Sequence, residues 1–342
     1  MNLILLDRND KDSSASSTDA NTCTSTAEDD DKITRQDQRY SLSAKDPRSV
    51  HIRKRLRKSK GDRVRIGILQ DHEEDHQNNG GPIGEAVLLN DPTTSTNASP
   101  IRLQVLPDTL RPPPSRPRLR LLLGIPYPKV IQQLWAVLTS FMVEEIVYCP
   151  STLTDLEYLK SSSLTPAKYL PLIREGLAQA EDTQAPKVFV LRDTTMLQAI
   201  QDTTSRLPSS ATATTKTDAS TETTTSTSCS KFNVNVNLMQ QAAQGCCKIV
   251  LHIGNYPSLR QCYTSFVKQQ QQTIDPATNI MGMPPPPGIL LAIGPERGWT
   301  DEEVEAFQST NFMVASLGSP ILRTDTAIVS GVALARDVLL EK

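Results

Sequence analysis

The chain has few of the residues that build metal centres or disulfide frameworks. Its four histidines are widely spaced except for His72 and His76, and none of its cysteines forms a CxxC pair. The six cysteines stand at positions 23, 149, 229, 246, 247 and 262. The usual zinc motifs and a disulfide scaffold are therefore excluded, and we expect no bound metal and a reducing compartment.

Long apolar runs are also missing. No run approaches the roughly 20 residues that cross a bilayer, and the opening segment MNLILLDRND becomes acidic too early for a secretory signal peptide. We therefore expect no membrane association and a cytoplasmic location. An organellar location stays open as an alternative, because organellar targeting peptides are loosely specified.

Apolar content is low, at 37% hydrophobic residues, and the deficit is concentrated in two polar tracts. Residues 9–32 are rich in Ser, Thr, Asp and Asn, and residues 203–230 consist mainly of Ser, Thr, Ala and Asp. Such tracts bury too little apolar surface to offset chain entropy, which predicts disordered insertions near 9–46 and near 203–231. The remaining sequence is long enough for two domains.

Two patterns of hydrophobicity meet at the stiff segment RPPPSRP, Arg111–Pro117. Before it, DRVRIGIL, GPIGEAVLLN and IRLQVLP read as short half-buried strands, which predicts a small β-barrel domain over residues 1–110. After it, apolar runs such as LRLLLGI alternate with helical patterns such as KVIQQLWAVLTSFM. This alternation predicts an α/β fold with a parallel sheet over residues 117–342. The glutamine run 269–272 and the proline run 284–287 predict a further loose loop.

The last predicted helix, DTAIVSGVALARDVLLEK, is apolar on more than one face. A surface helix of a monomer would have a polar half. We therefore expect this helix to be buried on most sides, either by the fold itself or by a second subunit.

One candidate site is the stretch GPERGWTDEEV, Gly294–Val304, which follows the apolar run GILLAI. Gly294 and Gly298 permit backbone conformations closed to other residues, and Thr300 with Glu303 forms a capping box that starts a helix near Asp301. The stretch lacks the G-K-[ST] of a P-loop and does not match G-x-G-x-x-G. Its acidic residues would repel phosphate, so a positively charged cofactor without phosphates suits it. The alternative is a simple strand-to-helix turn.

A second stretch, SLGSPILRTDTAI (Ser316–Ile328), repeats the order of strand, glycine, irregular loop and helix. We expect Thr324 or Asp325 to cap the helix. Arg323 beside a helix N-terminus is electrostatically unfavourable, which an anionic partner would explain. The alternative is a surface arginine paired with Asp325. His252, which ends the run KIVLHI, is a candidate for the rim of the same pocket, although a structural histidine is the commoner case.

A basic segment, HIRKRLRKSKGDR (His51–Arg63), carries seven Lys or Arg residues against one Asp, although the whole chain has a net charge of −2. Such a run can grip a nucleic-acid backbone, and we name Arg53, Lys54, Arg55 and Arg57 as candidate RNA contacts. The alternative is a solvated surface face, the commoner outcome for short charge runs.

The two glycine-containing stretches together resemble the signature segments of the RsmE family of ribosomal RNA methyltransferases. Those segments have the form GPEGG(F/W)-x-x-x-E and LG-x-x-ILR-x-(E/D)TA, and here they read GPERGWTDEEV and LGSPILRTDTA. The segments NLILL and DPRSVHIRKRLRKSKGDRVRIGIL are similar to the family's PUA-like RNA-binding domain, and LLLGIPYPKVIQQLW and REGLAQAEDT are similar to parts of its catalytic domain. The resemblance covers nearly all of the sequence that we expect to fold.

The resemblance implies a SPOUT α/β catalytic domain with a C-terminal trefoil knot, an exception to the general rarity of knots. It also implies a homodimer, S-adenosylmethionine as cofactor, and methylation of N3 of a uridine in ribosomal RNA of the small subunit, free or assembled. By position it implies catalytic roles for Arg323 and Glu296. The implied cofactor residues are His252, Ile293, Gly294, Pro295, Glu296, Gly298, Leu317, Gly318, Ile321, Leu322 and Arg323.

The sequence departs from the family pattern at two positions of these segments. Arg297 stands where the family usually has glycine, and Asp325 replaces a frequent glutamate. If Arg297 had to adopt a positive φ, the first stretch would be strained. An inactive RNA-binding protein of the same fold is therefore the alternative function, and a methyltransferase for small molecules or proteins is a third.

Overall fold

The computed structural model describes residues 3–12, 38–69, 80–92, 99–204, 245–273 and 287–341. The chain forms two compact units, residues 1–115 with 171–185 and residues 116–170 with 186–342. Residues 171–185 return to the first unit, although the sequence pattern placed them in the second domain. The reason is hydrogen bonding: Leu3 N–H donates to the Ala178 carbonyl at 3.1 Å, and the Thr183 hydroxyl donates to the Gly81 carbonyl.

The first unit is built on a five-stranded sheet of order β1-β3-β4-β5-β2. The strands are β1 (Ile4–Leu6), β2 (Arg39–Leu42), β3 (Arg63–Ile68), β4 (Ile83–Leu88) and β5 (Ile101–Arg111). β1 pairs with β3 in parallel, and the other pairs are antiparallel. Beyond β1 and the 3-10 turn Arg8–Asp10, Lys11 bridges to Tyr40 of β2, so the two edges of the sheet approach each other and the sheet curls.

Strand β2 corrects one expectation. The sequence predicted a disordered insertion near 9–46, but Tyr40 and Leu42 of β2 are buried in the core of the first unit, which orders this part of it. Residues 13–37 and 205–244, where the rest of the two predicted insertions falls, lie outside the described residues.

The basic segment begins on a short helix. Helix α1 (Pro47–His51) is capped by Asp46, whose carboxylate accepts the Arg48 N–H at 2.8 Å. The chain continues as a π-helical turn, Ile52–Leu56, and ends at Arg57 with φ of 50°. Ile52 is fully buried and anchors this segment in the core.

The second unit contains a six-stranded parallel sheet of order β11-β9-β10-β6-β7-β8. The strands are β6 (Leu119–Gly124), β7 (Glu145–Cys149), β8 (Lys187–Val190), β9 (Cys246–Leu251), β10 (Gly288–Ile293) and β11 (Met313–Ala315). Every residue of β10 is buried, as expected for a strand covered on both faces. The predicted parallel sheet is thereby confirmed.

Helices connect these strands, as the alternating pattern predicted. They are α2 (Pro128–Ser140), α3 (Leu156–Leu159), α4 (Pro166–Ala180), α5 (Met196–Thr204), α6 (Leu259–Thr273), α7 (Asp301–Ser309) and α8 (Thr324–Leu340), with a 3-10 turn at Ser162–Leu164. The glutamine run 269–272 belongs to α6, so the predicted loop is wrong there, because glutamine is a good helix former. Of the proline run, residues 284–286 lie outside the described residues.

The final helix α8 buries only one face within its own chain. Ile328, Val332, Ala335 and Val338 are buried, whereas Leu334 is half exposed. The expectation of burial on most sides by the fold itself is therefore not met in the single chain. Within the residues described, no helix combines the length and the apolar character needed to cross a membrane.

Candidate active site

The two glycine-containing stretches lie in loops that follow β10 and β11, the two parallel strands that flank β9 in the sheet. The first loop, residues 294–300, follows β10, and the second loop, residues 316–323, follows β11; β9 lies between these strands in the sheet. The end of β9 is hydrogen-bonded to the first loop on one side and to β11 on the other. The Leu251 carbonyl accepts from Trp299 Nε1 at 3.2 Å, and His252 N–H donates to the Ala315 carbonyl at 3.0 Å. The sheet therefore brings both loops to one edge, where α/β proteins bind ligands.

In the first loop the positive φ falls on glycine and not on arginine. Gly298 has φ of 72°, and a Cβ placed there would meet no atom within 4 Å. Arg297 does not belong to the non-glycine residues with positive φ, and its side chain is exposed. The loop therefore carries no backbone strain at Arg297.

Gly124, which ends β6, packs directly against Pro295 of the first loop. This glycine was not identified from the sequence. A Cβ on Gly124 would lie 2.5 Å from Pro295 Cδ and 2.9 Å from Pro295 N. Real Cβ atoms do not approach backbone so closely, so only glycine permits this packing. The available signal was a glycine directly after three consecutive leucines.

Glu296 holds the first loop against helix α2. Its Oε1 accepts the Tyr127 N–H at 2.9 Å, and Tyr127 is the N-cap residue of α2 and supplies no side-chain cap of its own. A carboxylate at a helix N-terminus is electrostatically favourable. The structure therefore gives Glu296 a holding contact, and its catalytic role stays a prediction.

The predicted capping box is confirmed and extends further than the sequence indicated. Glu303 Oε2 accepts the Thr300 N–H at 3.0 Å, and the Thr300 hydroxyl accepts the Glu303 N–H at 3.2 Å. Glu303 Oε1 also accepts from the N–H and the hydroxyl of Thr152, at 2.8 and 3.2 Å, in the loop after β7. Glu303 is fully buried. It therefore fixes the end of the first loop to a distant part of the chain.

The second loop is open and partly apolar. Gly318 has φ of 108°, and its N–H donates to the Ser316 hydroxyl at 3.1 Å. Ile321 is 78% exposed, an unusual exposure for an isoleucine. The predicted cap at Thr324 or Asp325 is wrong. The helix already begins at Thr324, which leaves Arg323 in the N-cap position with no side-chain cap.

Arg323 makes the surface ion pair that was the alternative explanation for it. Its Nη2 lies 3.2 Å from Asp325 Oδ2, and its side chain is 80% exposed. An ion pair this exposed contributes little free energy. The guanidinium is therefore able to leave Asp325 for a stronger anionic partner.

A pocket of about 800 Å³ opens beside the second loop. It is lined by Ser316 to Ser319, by Tyr256 in the loop after β9, by the start of α6, and by Leu334 and Val338 of α8. The predicted cofactor residues are all described by the structure, and of these Leu317 and Gly318 line the pocket. His252 is half-buried, with its ring 6.0 Å from that of Tyr256.

Metal and thiol chemistry have no support in the part of the chain that the structure describes. No group of three or more His, Cys, Asp or Glu residues there could hold a metal ion. Burial raises the pKa of the Cys247 thiol to about 12 and also raises that of Cys246, so both thiols stay protonated. Both cysteines are buried and serve as packing residues.

The four candidate RNA contacts divide into one structural arginine and three exposed side chains. Arg53 donates to the carbonyls of Ala44, Pro92 and Ser99, so its guanidinium is used within the first unit. This argues against the predicted RNA contact by Arg53. The side chains of Lys54, Arg55 and Arg57 are exposed.

We expect charge reversal at Lys54, Arg55 and Arg57 to weaken RNA binding and to flatten its salt dependence. Each lost phosphate contact lowers the slope of log K against log salt by about 0.7–0.9. Titrations of labelled RNA at several salt concentrations measure this slope. An Arg53→Glu variant should instead lower thermal stability, and an unchanged slope in the triple variant would remove the reason for placing RNA here.

Comparisons with known proteins identify the domain that contains both loops. Residues 237–336, which include both loops, match the model of a family described as an RNA methyltransferase domain. No curated protein sequence matches the chain. The resemblance noted from the two signature stretches is thereby supported for the C-terminal part of the sequence.

Solved structures are similar to this chain over most of its length. One is ribosomal RNA small subunit methyltransferase E from Neisseria gonorrhoeae bound to S-adenosylmethionine, with 15% identity, a TM-score of 0.52, and coverage of 88% of this chain and 92% of that one. A probable rRNA methyltransferase from Porphyromonas gingivalis has 16% identity, a TM-score of 0.50 and coverage of 87% and 94%. At these identities the similarity establishes the fold.

Proposed function

We propose that this protein is a member of the RsmE family that transfers a methyl group from S-adenosylmethionine to N3 of a uridine in small-subunit ribosomal RNA. The observation that carries the proposal is the pair of signature loops. Both lie at the carboxyl ends of strands adjacent to β9, within the region that matches an RNA methyltransferase domain. The fold shared with methyltransferase E supports it.

The residues of the first loop fit the proposed cofactor. Open space lies where a Cβ on Gly298 would stand, and Glu296 adds a carboxylate at the rim for a positively charged ligand. The Neisseria gonorrhoeae structure contains S-adenosylmethionine. When bound, this cofactor supplies an electrophilic methyl group. Gly294, Pro295 and Gly298 would hold it together with Leu317, Gly318 and Leu322, mainly through backbone groups.

Arg323 is proposed to act on the substrate. N3 of uracil is a poor nucleophile while it is protonated, so its anionic form must be favoured during transfer. The exposed guanidinium of Arg323 can stabilise that developing charge. Positioning of the base and the methyl group in line adds to the rate.

The finer architecture belongs to the same proposal. A trefoil knot in the second unit and a PUA-like role for the curled sheet of the first follow from family membership. A homodimer would cover the half-exposed Leu334 of α8. The alternative of an inactive RNA-binding protein rested on strain at Arg297, and the positive φ falls on Gly298 instead.

The test is methyl transfer in vitro. Purified protein, labelled S-adenosylmethionine and small ribosomal subunits from cells lacking the protein should give RNA that contains 3-methyluridine, mapped by mass spectrometry. The same reaction with free RNA decides whether assembly is required. Absence of any labelled nucleotide in both reactions would overturn the proposal, and a label on another atom would correct the specificity alone.

A further inference from the structure

Two tyrosines stand side by side next to the first loop. The rings of Tyr127 and Tyr158 are 5.6 Å apart between centroids, with an angle of 74° between their planes. Tyr127 precedes α2 and Tyr158 belongs to the short helix α3, so two separate parts of the second unit bring the rings together. Edge-to-face packing of this kind fixes both rings in place.

The pair is joined to the first loop by backbone and charge. Glu296 accepts the Tyr127 N–H, so the ring of Tyr127 is held beside this loop. Partial desolvation raises the pKa of the Tyr158 phenol, and the negative charges of Glu296 and Asp155 raise it further. The positive charge of Arg297 opposes this rise. Arg297 follows Glu296 directly in the chain, so its exposed side chain belongs to the same loop that accepts the Tyr127 N–H.

Neither ring is fully buried in the protein core. Tyr127 is 50% exposed, and Leu156 beside the pair is also largely exposed. Tyr158 is only partly exposed. Exposed apolar groups that cluster in one patch often mark a binding site. An exposed guanidinium on the same loop as an exposed aromatic ring is an arrangement that proteins use to bind single-stranded nucleic acid, since rings and guanidinium planes both stack on bases.

We propose that Tyr127, Tyr158 and Arg297 form a stacking platform for an unpaired base of the RNA substrate, beside the cofactor loop. This inference rests on the proposed function, because it places a base near the reacting nucleotide. It also gives a role to Arg297, whose exposed side chain the backbone of the first loop does not require. Aromatic faces bind any base, so the platform orients the strand, and the chosen uridine is recognised elsewhere.

The platform is tested by RNA affinity. A fluorescently labelled, uridine-rich single-stranded RNA is titrated with wild-type protein, with the Y127A/Y158A variant and with the Y127F/Y158F variant. We expect the alanine pair to lose roughly 5- to 150-fold in affinity for each base that it no longer stacks. The phenylalanine pair should stay close to wild type, because its rings remain.

Controls separate stacking from general damage. Leu170→Ala removes a side chain that is 49% exposed, close to the 50% of Tyr127, and should leave affinity unchanged. R297G removes a positive charge, so it should weaken RNA binding and lower the slope of log K against log salt by about the amount of one ionic contact. The tyrosine variants remove no charge and should keep the wild-type slope. Calorimetry with S-adenosylmethionine should give the same affinity for wild type and Y127A/Y158A.

Several outcomes would overturn the platform. These are an affinity of Y127A/Y158A within twofold of wild type, an equal loss in Y127F/Y158F, or wild-type protein that does not bind this RNA. A different result would contradict the proposed methyl transfer. Wild type that binds RNA through the tyrosines but transfers no methyl group contradicts the proposed reaction and leaves the platform intact.

Discussion

Replacing Arg323 with alanine should lower the rate of methyl transfer by about a hundredfold to a thousandfold, the usual effect of removing one group that stabilises charge in a transition state. Cofactor affinity should change much less. Arg323 is 80% exposed, and among the described residues its ion-pair partner is Asp325 at 3.2 Å, so its loss leaves no buried group there without a partner. Single-turnover rates with saturating cofactor measure the first effect, and calorimetry measures the second.

Two further variants sharpen this result. Arg323→Lys keeps the charge but loses the planar fork, and should recover part of the rate. Asp325→Asn removes the present partner of Arg323 and should not lower the rate. Equal losses of turnover and cofactor affinity in the alanine variant would show that Arg323 serves binding and not catalysis.

Replacing Glu303 with alanine should destabilise the second unit by about 3 kcal/mol, because a hydrogen bond to a charged group contributes roughly 1.5–3 kcal/mol. Its fully buried carboxylate accepts from Thr300 N–H, Thr152 N–H and the Thr152 hydroxyl. Thr152 is exposed, so water can replace the carboxylate at its two donors, which keeps the loss below the simple sum. The first loop should also loosen, so cofactor affinity falls with stability.

Urea unfolding, monitored by tryptophan fluorescence, measures the decrease in the free energy of unfolding, since Trp135 and Trp299 both belong to the second unit. Glu302→Ala is the matched control, because Glu302 occupies the same helical turn but is exposed. We expect it to change the free energy of unfolding by about 0.5 kcal/mol or less. A similar midpoint for the two variants would mean that the contact with Thr152 contributes nothing.

The local features of the site could be predicted from sequence because their partners are close along the chain. The capping box joins Thr300 to Glu303, and the order of strand, glycine and helix defines each loop. Contacts between distant residues left no such signal. Tyr127 and Glu296 are 169 positions apart, and Thr152 and Glu303 are 151 apart.

The basic segment shows the same limit in another form. Its composition indicated cationic side chains but not their use, and only the fold brings the carbonyls of Ala44, Pro92 and Ser99 around Arg53. Strand β2 was missed because it is four residues long and follows a polar tract. Helix α8 begins one residue earlier than its best capping residues suggested.

The return of residues 171–185 to the first unit constrains how the chain can be made. Synthesis proceeds from the N-terminus, and domains completed early usually fold early. Here Leu3 must wait for Ala178 to leave the ribosome before its N–H finds an acceptor. By then β6, β7 and α2 have already emerged. The N-terminal unit is thus begun first but finished only after the second has started, and a fragment cut at residue 115 would lack part of its own fold.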